Sequence, residues 1–183
     1  MMGERRVYLL LTDTGTLLGK LIKSYTGKPF NHVSLSMDEE LTEVFSFGRK
    51  RPHNPFIGGF VKENLQTRIF KGAKCAIYEC SVTEQQYDNI RDIIQEIEKR
   101  KHELRYNFLG LFGVMFNRRY DREDAFFCSQ FVATVLKQAE VIDLVKPLNL
   151  ITPHDLQELS QFHLIYQGNL NNYEKIEIKG VIA

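Results

Sequence analysis

The chain has 183 residues, 43 % hydrophobic and 26 % charged, which suits one globular domain over 1–183 with a substantial core. A formal net charge of +1 argues against a general nucleic-acid binder and against a protein drawn to strongly anionic membranes. Three cysteines without framework spacing argue against a disulfide-stapled secreted domain.

Val7–Leu11 is a compact apolar run and reads as a buried strand. It follows Arg5-Arg6 but is too short for a secretory h-region, and no small-residue cleavage site comes after it. No segment approaches about 20 apolar residues, the length needed to span a bilayer. The expectation is a soluble, cytoplasmic protein with no integral membrane segment.

Thr12–Gly15 supplies turn and cap residues. Thr16–Tyr25 reads as a short helix with Leu17, Leu18, Leu21 and Ile22 on one face. Gly27-Lys28-Pro29-Phe30 ends it and leads into the strand His32–Met37. Asp38-Glu39-Glu40 forms a turn, and Leu41–Gly48 returns as the partner of a hairpin. Arg49–Gly59 is a loop punctuated by Pro and Gly. Its cations Arg49, Lys50 and Arg51 suit a solvated face, or an anionic ligand.

Thr67–Phe70 and Cys75–Val82 read as further strands. Cys75 and Cys80, five apart on one strand, point to opposite faces and cannot chelate a metal together. Thr83-Glu84-Gln85-Gln86 has capping-box spacing and opens a helix to about Leu104, with Tyr87, Ile90, Ile94, Ile97 and Lys101 on its inner side. Tyr106–Phe116 is aromatic and contains Gly110 and Gly113, a broken helix or packed loop. Thr152 before Pro153 marks a helix start. Leu164–Gln167 and Lys175–Ile178 read as late strands. Strand and helix runs are segregated, so the expected class is α+β.

The stretch that carries chemistry is Asp124–Leu136. Phe127, Cys128, Phe131, Val132, Val135, Leu136 and Ala139 form the stripe of an amphipathic helix starting between Asp124 and Phe126, with Asp121 or Asp124 as cap. Cys128 then lies in the first turn, where unpaired N–H groups and the helix dipole favour a thiolate. A cysteine on such a stripe is by itself the mark of a small buried hydrophobe. His32, at the head of an alternating strand, supplies the distant histidine that thiol catalysis needs. His53, His102, His154 and His163 read as ordinary surface or cap-region residues. No spacing of His, Cys and acids suggests zinc, and no cofactor is expected.

Six pieces in order carry a family likeness. They are Val7–Leu11 with the following Thr14-Gly15-Thr16, His32–Ser36, Thr42–Phe45, Tyr106–Leu109, Phe127–Val132 and Thr152–Leu156. On them the chain resembles the circularly permuted papain-like cysteine hydrolases related to the NlpC superfamily, in the YiiX/YebB-like branch. The resemblance implies a small antiparallel sheet or barrel packed against helices, with the histidine strand preceding the cysteine helix. It further implies a Cys nucleophile, a His and a third polar residue on the neighbouring strand, which map to Cys128, His32 and Glu43.

The strand register bears on the third position. An even-length turn puts Glu43 on the face of His32. An odd-length turn pairs Val33, Leu35 and Met37 with Leu41 and Phe45 and sets Ser46 beside His32. Apolar matching favours the odd turn, while the family pattern favours Glu43, and Glu43 is the assignment carried forward.

The activity implied is a thiol hydrolase of an amide, ester or thioester, with a small-molecule, lipid or peptide acyl substrate. Acyl transfer through the same acyl-enzyme and a non-catalytic binding module on this fold are the competing readings. Phe108–Phe116 and Pro55–Phe60 are candidates for an apolar acyl pocket or for plain core.

Overall fold

The apolar run near the N-terminus forms the middle of the fold because it is buried on both faces. In the computed structural model, which describes residues 4–15, 17–49, 58–106 and 125–173, it is strand β1 (Glu4–Asp13). Val7, Leu9 and Leu11 enter one apolar cluster, while Tyr8 and Leu10 enter a second on the opposite face. That is the period-2 alternation of a strand with no solvated side.

Around β1 stand α1 (Leu17–Thr26), β2 (His32–Ser36), β3 (Val44–Arg49), β4 (Gly58–Lys62), β5 (Lys74–Thr83) and α2 (Glu84–Lys99). The two-residue strands β6 (Arg105–Tyr106) and β7 (Ala125–Phe126) pair with each other in parallel. Then come α3 (Cys128–Gln138), a 3₁₀ turn at Leu148–Leu150, the short α4 (Pro153–Gln157) and β8 (His163–Asn169). The six main strands form one open sheet in the order β4-β3-β2-β1-β5-β8, antiparallel throughout. The class is α+β, and the sheet does not close into a barrel.

Helices α2 and α3 pack on one face of the sheet and against each other. Tyr87, Ile90 and Ile94 are the buried side of α2. Thr83 caps it as the spacing predicts: its hydroxyl accepts from the Gln86 N–H at 3.1 Å, and the Gln86 side chain accepts from the Thr83 N–H at 3.0 Å. The other face is covered by Leu65, Phe70, Leu170 and Tyr173. Cys75 and Cys80 fall in opposite clusters, as their spacing requires. No helix among the described residues is long and apolar enough to cross a membrane.

Three local expectations need correction. Thr67–Phe70 is a turn and not a strand, closed by Phe70 N–H to Thr67 C=O at 3.0 Å and Thr67 N–H to Asn64 C=O at 3.1 Å. Helix α2 stops at Lys99, five residues early, because the chain turns at Arg100–Glu103. The expected loop Arg49–Gly59 ends instead in β4, which pairs with β3 from Phe45–Lys62 to Arg49–Gly58. The aromatic stretch Phe108–Phe116, the residues Lys50, Arg51 and His53, and the strand Lys175–Ile178 lie outside the described residues.

Candidate active site

Cys128 is the first residue of α3, so it lies in the first turn as expected, while the helix itself starts later than the expected Asp124–Phe126. Phe127 is the N-cap, extended at φ −112 and ψ 169, and it makes no side-chain cap. The expected caps, Asp121 and Asp124, lie outside the described residues, and packing holds the helix start. Phe131 meets Phe47 of β3 at 5.4 Å and Phe60 of β4 at 5.8 Å between ring centroids, and Phe126 meets Phe47 at 5.1 Å. These rings fasten the start of α3 to the β3–β4 end of the sheet. Phe60, a candidate pocket residue, is core, 3 % exposed.

A second brace holds the same end. Ser129 Oγ donates to the Ile151 carbonyl at 2.7 Å. The next residue, Thr152, opens α4 with its own capping box: Thr152 Oγ1 accepts from the Asp155 N–H at 3.2 Å, and Asp155 accepts from the Thr152 N–H at 2.7 Å. Lys146 closes the brace on Asp155 at 2.6 Å.

His32 is held from the side of β1. Asn31, just before it, donates through Nδ2 to Asp13 Oδ1 at 2.9 Å and accepts at Oδ1 from Thr14 Oγ1 at 3.0 Å. Lys23 of α1 pairs with the other Asp13 oxygen. β2 then runs antiparallel to β1, with His32 opposite Thr12. The β2–β3 ladder covers only Leu35–Phe45 and Ser36–Val44. Where it ends, α3 meets β2, and the Val33 N–H donates to the Cys128 sulfur.

The carboxylate beside His32 belongs to Glu63, directly after β4. Glu63 Oε1 lies 2.7 Å from His32 Nε2. Ser34 Oγ donates to Oε2 at 3.0 Å, and Ser46 Oγ donates to Oε1. The Glu63 side chain is 5 % exposed and that of His32 14 %. His32 is also hydrogen-bonded to the Cys128 thiol, which completes the line. Cys128, His32 and Glu63 are thus contiguous, with the imidazole in the middle.

Glu43, the position assigned on the family pattern, is not part of this line. Seven residues, 37–43, separate Ser36 from its partner Val44. The turn is odd, so even-numbered residues of β2 face even-numbered residues of β3, and His32 shares a face with Ser46 and not with Glu43. Met37 N–H bonds Glu43 C=O at 3.1 Å, and Asp38 closes the turn by accepting from the Thr42 and Glu43 N–H groups at 2.8 and 2.7 Å. The Glu43 carboxylate is 41 % exposed, 3.5 Å from Lys62 and 3.8 Å from Arg91. Apolar pairing of Leu35 with Phe45 decides the register.

Glu63 escaped sequence reasoning because Pro52, Pro55, Gly58 and Gly59 made its approach look like a loop. The signal was present in parity. Taking Gly58–Lys62 as a third meander strand puts Gly59, Val61 and Glu63 on the face of Ser46.

Electrostatics follow from burial and pairing together. Burial alone favours a neutral imidazole, but the Glu63 carboxylate and the Cys128 sulfur outweigh it and push His32 up to about 10. Burial raises Cys128, while His32 and the Val33 and Ser129 N–H groups more than offset it, so the thiol is held below its ordinary range. Glu63 is likewise lowered against its burial, by His32, Ser46 and Ser34. Burial pushes Cys75 and Cys80 each up to about 11, with the Gly168 N–H only partly offsetting it at Cys75.

The other histidines among the described residues stand apart from this line. His102 and His163 are exposed, and His154 lies 3.7 Å from Glu158. Among the described residues, no three His, Cys, Asp or Glu side chains are placed to hold a metal ion together. No family model matches the chain, and no curated protein or solved structure matches it either.

Proposed function

We propose that the protein is a cysteine hydrolase that cleaves an amide, ester or thioester through an acyl-enzyme on Cys128. One observation carries the reading: a buried thiol at a helix start, an imidazole and a carboxylate stand in contact, with the carboxylate braced by two hydroxyls. A structural cysteine has no use for that company, as Cys75 and Cys80 illustrate.

The steps use each group once in each direction. The Cys128 thiolate attacks the substrate carbonyl carbon, and the C=O electron pair moves to oxygen. The Cys128 N–H, which has no partner within its own helix at the first position of α3, is a donor for that oxyanion. The imidazolium of His32 gives its proton to the leaving amine, alcohol or thiol as the carbonyl re-forms, leaving a thioester on Cys128. Water then attacks the thioester while His32 takes its proton, and the thiolate departs with the acid product. Glu63 stays ionised throughout, fixing the ring and stabilising the imidazolium.

The test is site-resolved alkylation with iodoacetamide across pH, read by peptide mass. Cys128 is expected to react well below about pH 8, while Cys75 and Cys80 react slowly or not at all. Equal rates for the three cysteines in the folded protein would sink the assignment. Intact mass after incubation with a panel of acyl donors then identifies the acyl group as an adduct that Cys128→Ala abolishes.

A further inference from the structure

A buried carboxylate beside an imidazole can settle in two ways. With the proton on the ring the two are an ion pair, and with the proton on the carboxylate both are neutral. Burial favours the neutral pair, because it penalises each charge. Donors around the carboxylate favour the ion pair, because each one strengthens with negative charge on its acceptor.

Glu63 has two such donors besides His32. Ser34 Oγ donates to Oε2 at 3.0 Å, and Ser46 Oγ donates to Oε1, the same oxygen that faces His32 Nε2 at 2.7 Å. Ser34 Oγ also lies 3.3 Å from His32 Nε2, but its single proton goes to the carboxylate, the stronger acceptor. Both serines are fully buried. They share one sheet face with His32, Ser34 on β2 and Ser46 on β3. The charged partners on this cluster come from two other elements: Cys128 at the start of α3 acts on His32, and Glu63 reaches in from the end of β4.

We propose that Ser34 and Ser46 are positioning residues: by donating their hydroxyl protons to Glu63 they keep it a carboxylate and keep the shared proton on His32. The imidazolium so retained keeps Cys128 a thiolate. This rests on the thiolate reading above and adds to it the residues that decide where the proton sits.

The experiment compares Ser34→Ala, Ser46→Ala, Ser34→Thr, Ser46→Thr and Glu63→Gln with the parent protein. Three quantities are read: the pH midpoint of Cys128 alkylation, the titration of the His32 ring by NMR, and the melting temperature. Each alanine variant is expected to move the Cys128 midpoint up by about one pH unit and the His32 titration down, as loss of one donor to a charged acceptor implies. The threonine variants, which keep the hydroxyl, are expected to stay near the parent midpoint. Alanine variants that melt lower but keep the parent midpoint would show a merely structural role and overturn the proposal. If Glu63→Gln shifts the midpoint and neither serine variant does, this inference fails and the thiolate reading stands. If Cys128 in the parent protein shows no lowered midpoint against Cys75 and Cys80, both fail.

Discussion

Glu43 and Glu63 carry the same functional group one strand apart, and their surroundings divide them completely. Glu43 meets two cations in water-accessible space, where an ion pair is screened and contributes little. Glu63 is buried against His32 and two hydroxyls, where the same charge governs the neighbours. Glu63→Gln is therefore expected to move the pH midpoint of Cys128 alkylation up by at least roughly one unit, which is about a tenfold slower reaction at pH values below the parent midpoint, and to cut any turnover by orders of magnitude. Glu43→Gln is expected to leave alkylation unchanged. A damaging Glu43→Gln beside a silent Glu63→Gln would overturn the assignment of the third residue. Cys128→Ala removes only a sulfur-sized volume and is expected to keep the melting temperature within a few degrees while abolishing turnover.

At the scale of the element, the site depends on how three segments are pinned. The start of α3 is tied down through Ser129, whose hydroxyl serves the buried Ile151 carbonyl at 2.7 Å. Ser129→Ala leaves that carbonyl short of a donor, and urea unfolding is expected to show a loss of about 1–3 kcal/mol. The turn into β2 depends on Gly19 of α1, which leaves room for Asn31. A Cβ there would lie 2.7 Å from Asn31 Nδ2, an atom already committed to Asp13. Gly19→Ala normally favours a helix, yet here it is expected to lower stability, because Asn31 must give up that hydrogen bond or α1 must move. A more stable Gly19→Ala protein would show that the Asn31 contact is dispensable. The third segment, β4, delivers Glu63, and its pairing with β3 fixes where that carboxylate stands.

Across the whole molecule, acid stability has one sign. Asp13, Asp38, Glu63 and Asp155 are all held below the ordinary carboxylate range, each by donors or cations that outweigh its own burial. A carboxylate lowered in the folded state stabilises it above the unfolded value of about 4 and loses that contribution as pH falls through the folded value. Urea midpoints are therefore expected to hold down to about pH 5 and to fall steeply below about pH 4. Asp38→Asn, which removes the charge at the β2–β3 turn, is expected to lower the midpoint at neutral pH and to flatten the acid limb. An unchanged acid limb in that variant would mean that Asp38 is not among the groups responsible.

The elements with strong local signals are legible in the sequence alone. Apolar and alternating runs gave β1, β2 and β5, the Thr83–Gln86 and Thr152–Pro153 caps placed two helix starts, and the 3.6-residue stripe placed Cys128 in the first turn of its helix. These features depend on neighbours a few residues apart, so a linear reading contains them. The meeting of Cys128, His32 and Glu63 joins residues from three distant segments, and no local pattern records it. Strand parity decided it: one odd turn at 37–43 carried Glu43 to the far face, and one further hairpin carried Glu63 to the near one. Packing of whole strands sets that parity, because burying Val33, Leu35, Phe45 and Phe47 together outweighs anything a single carboxylate contributes at the turn.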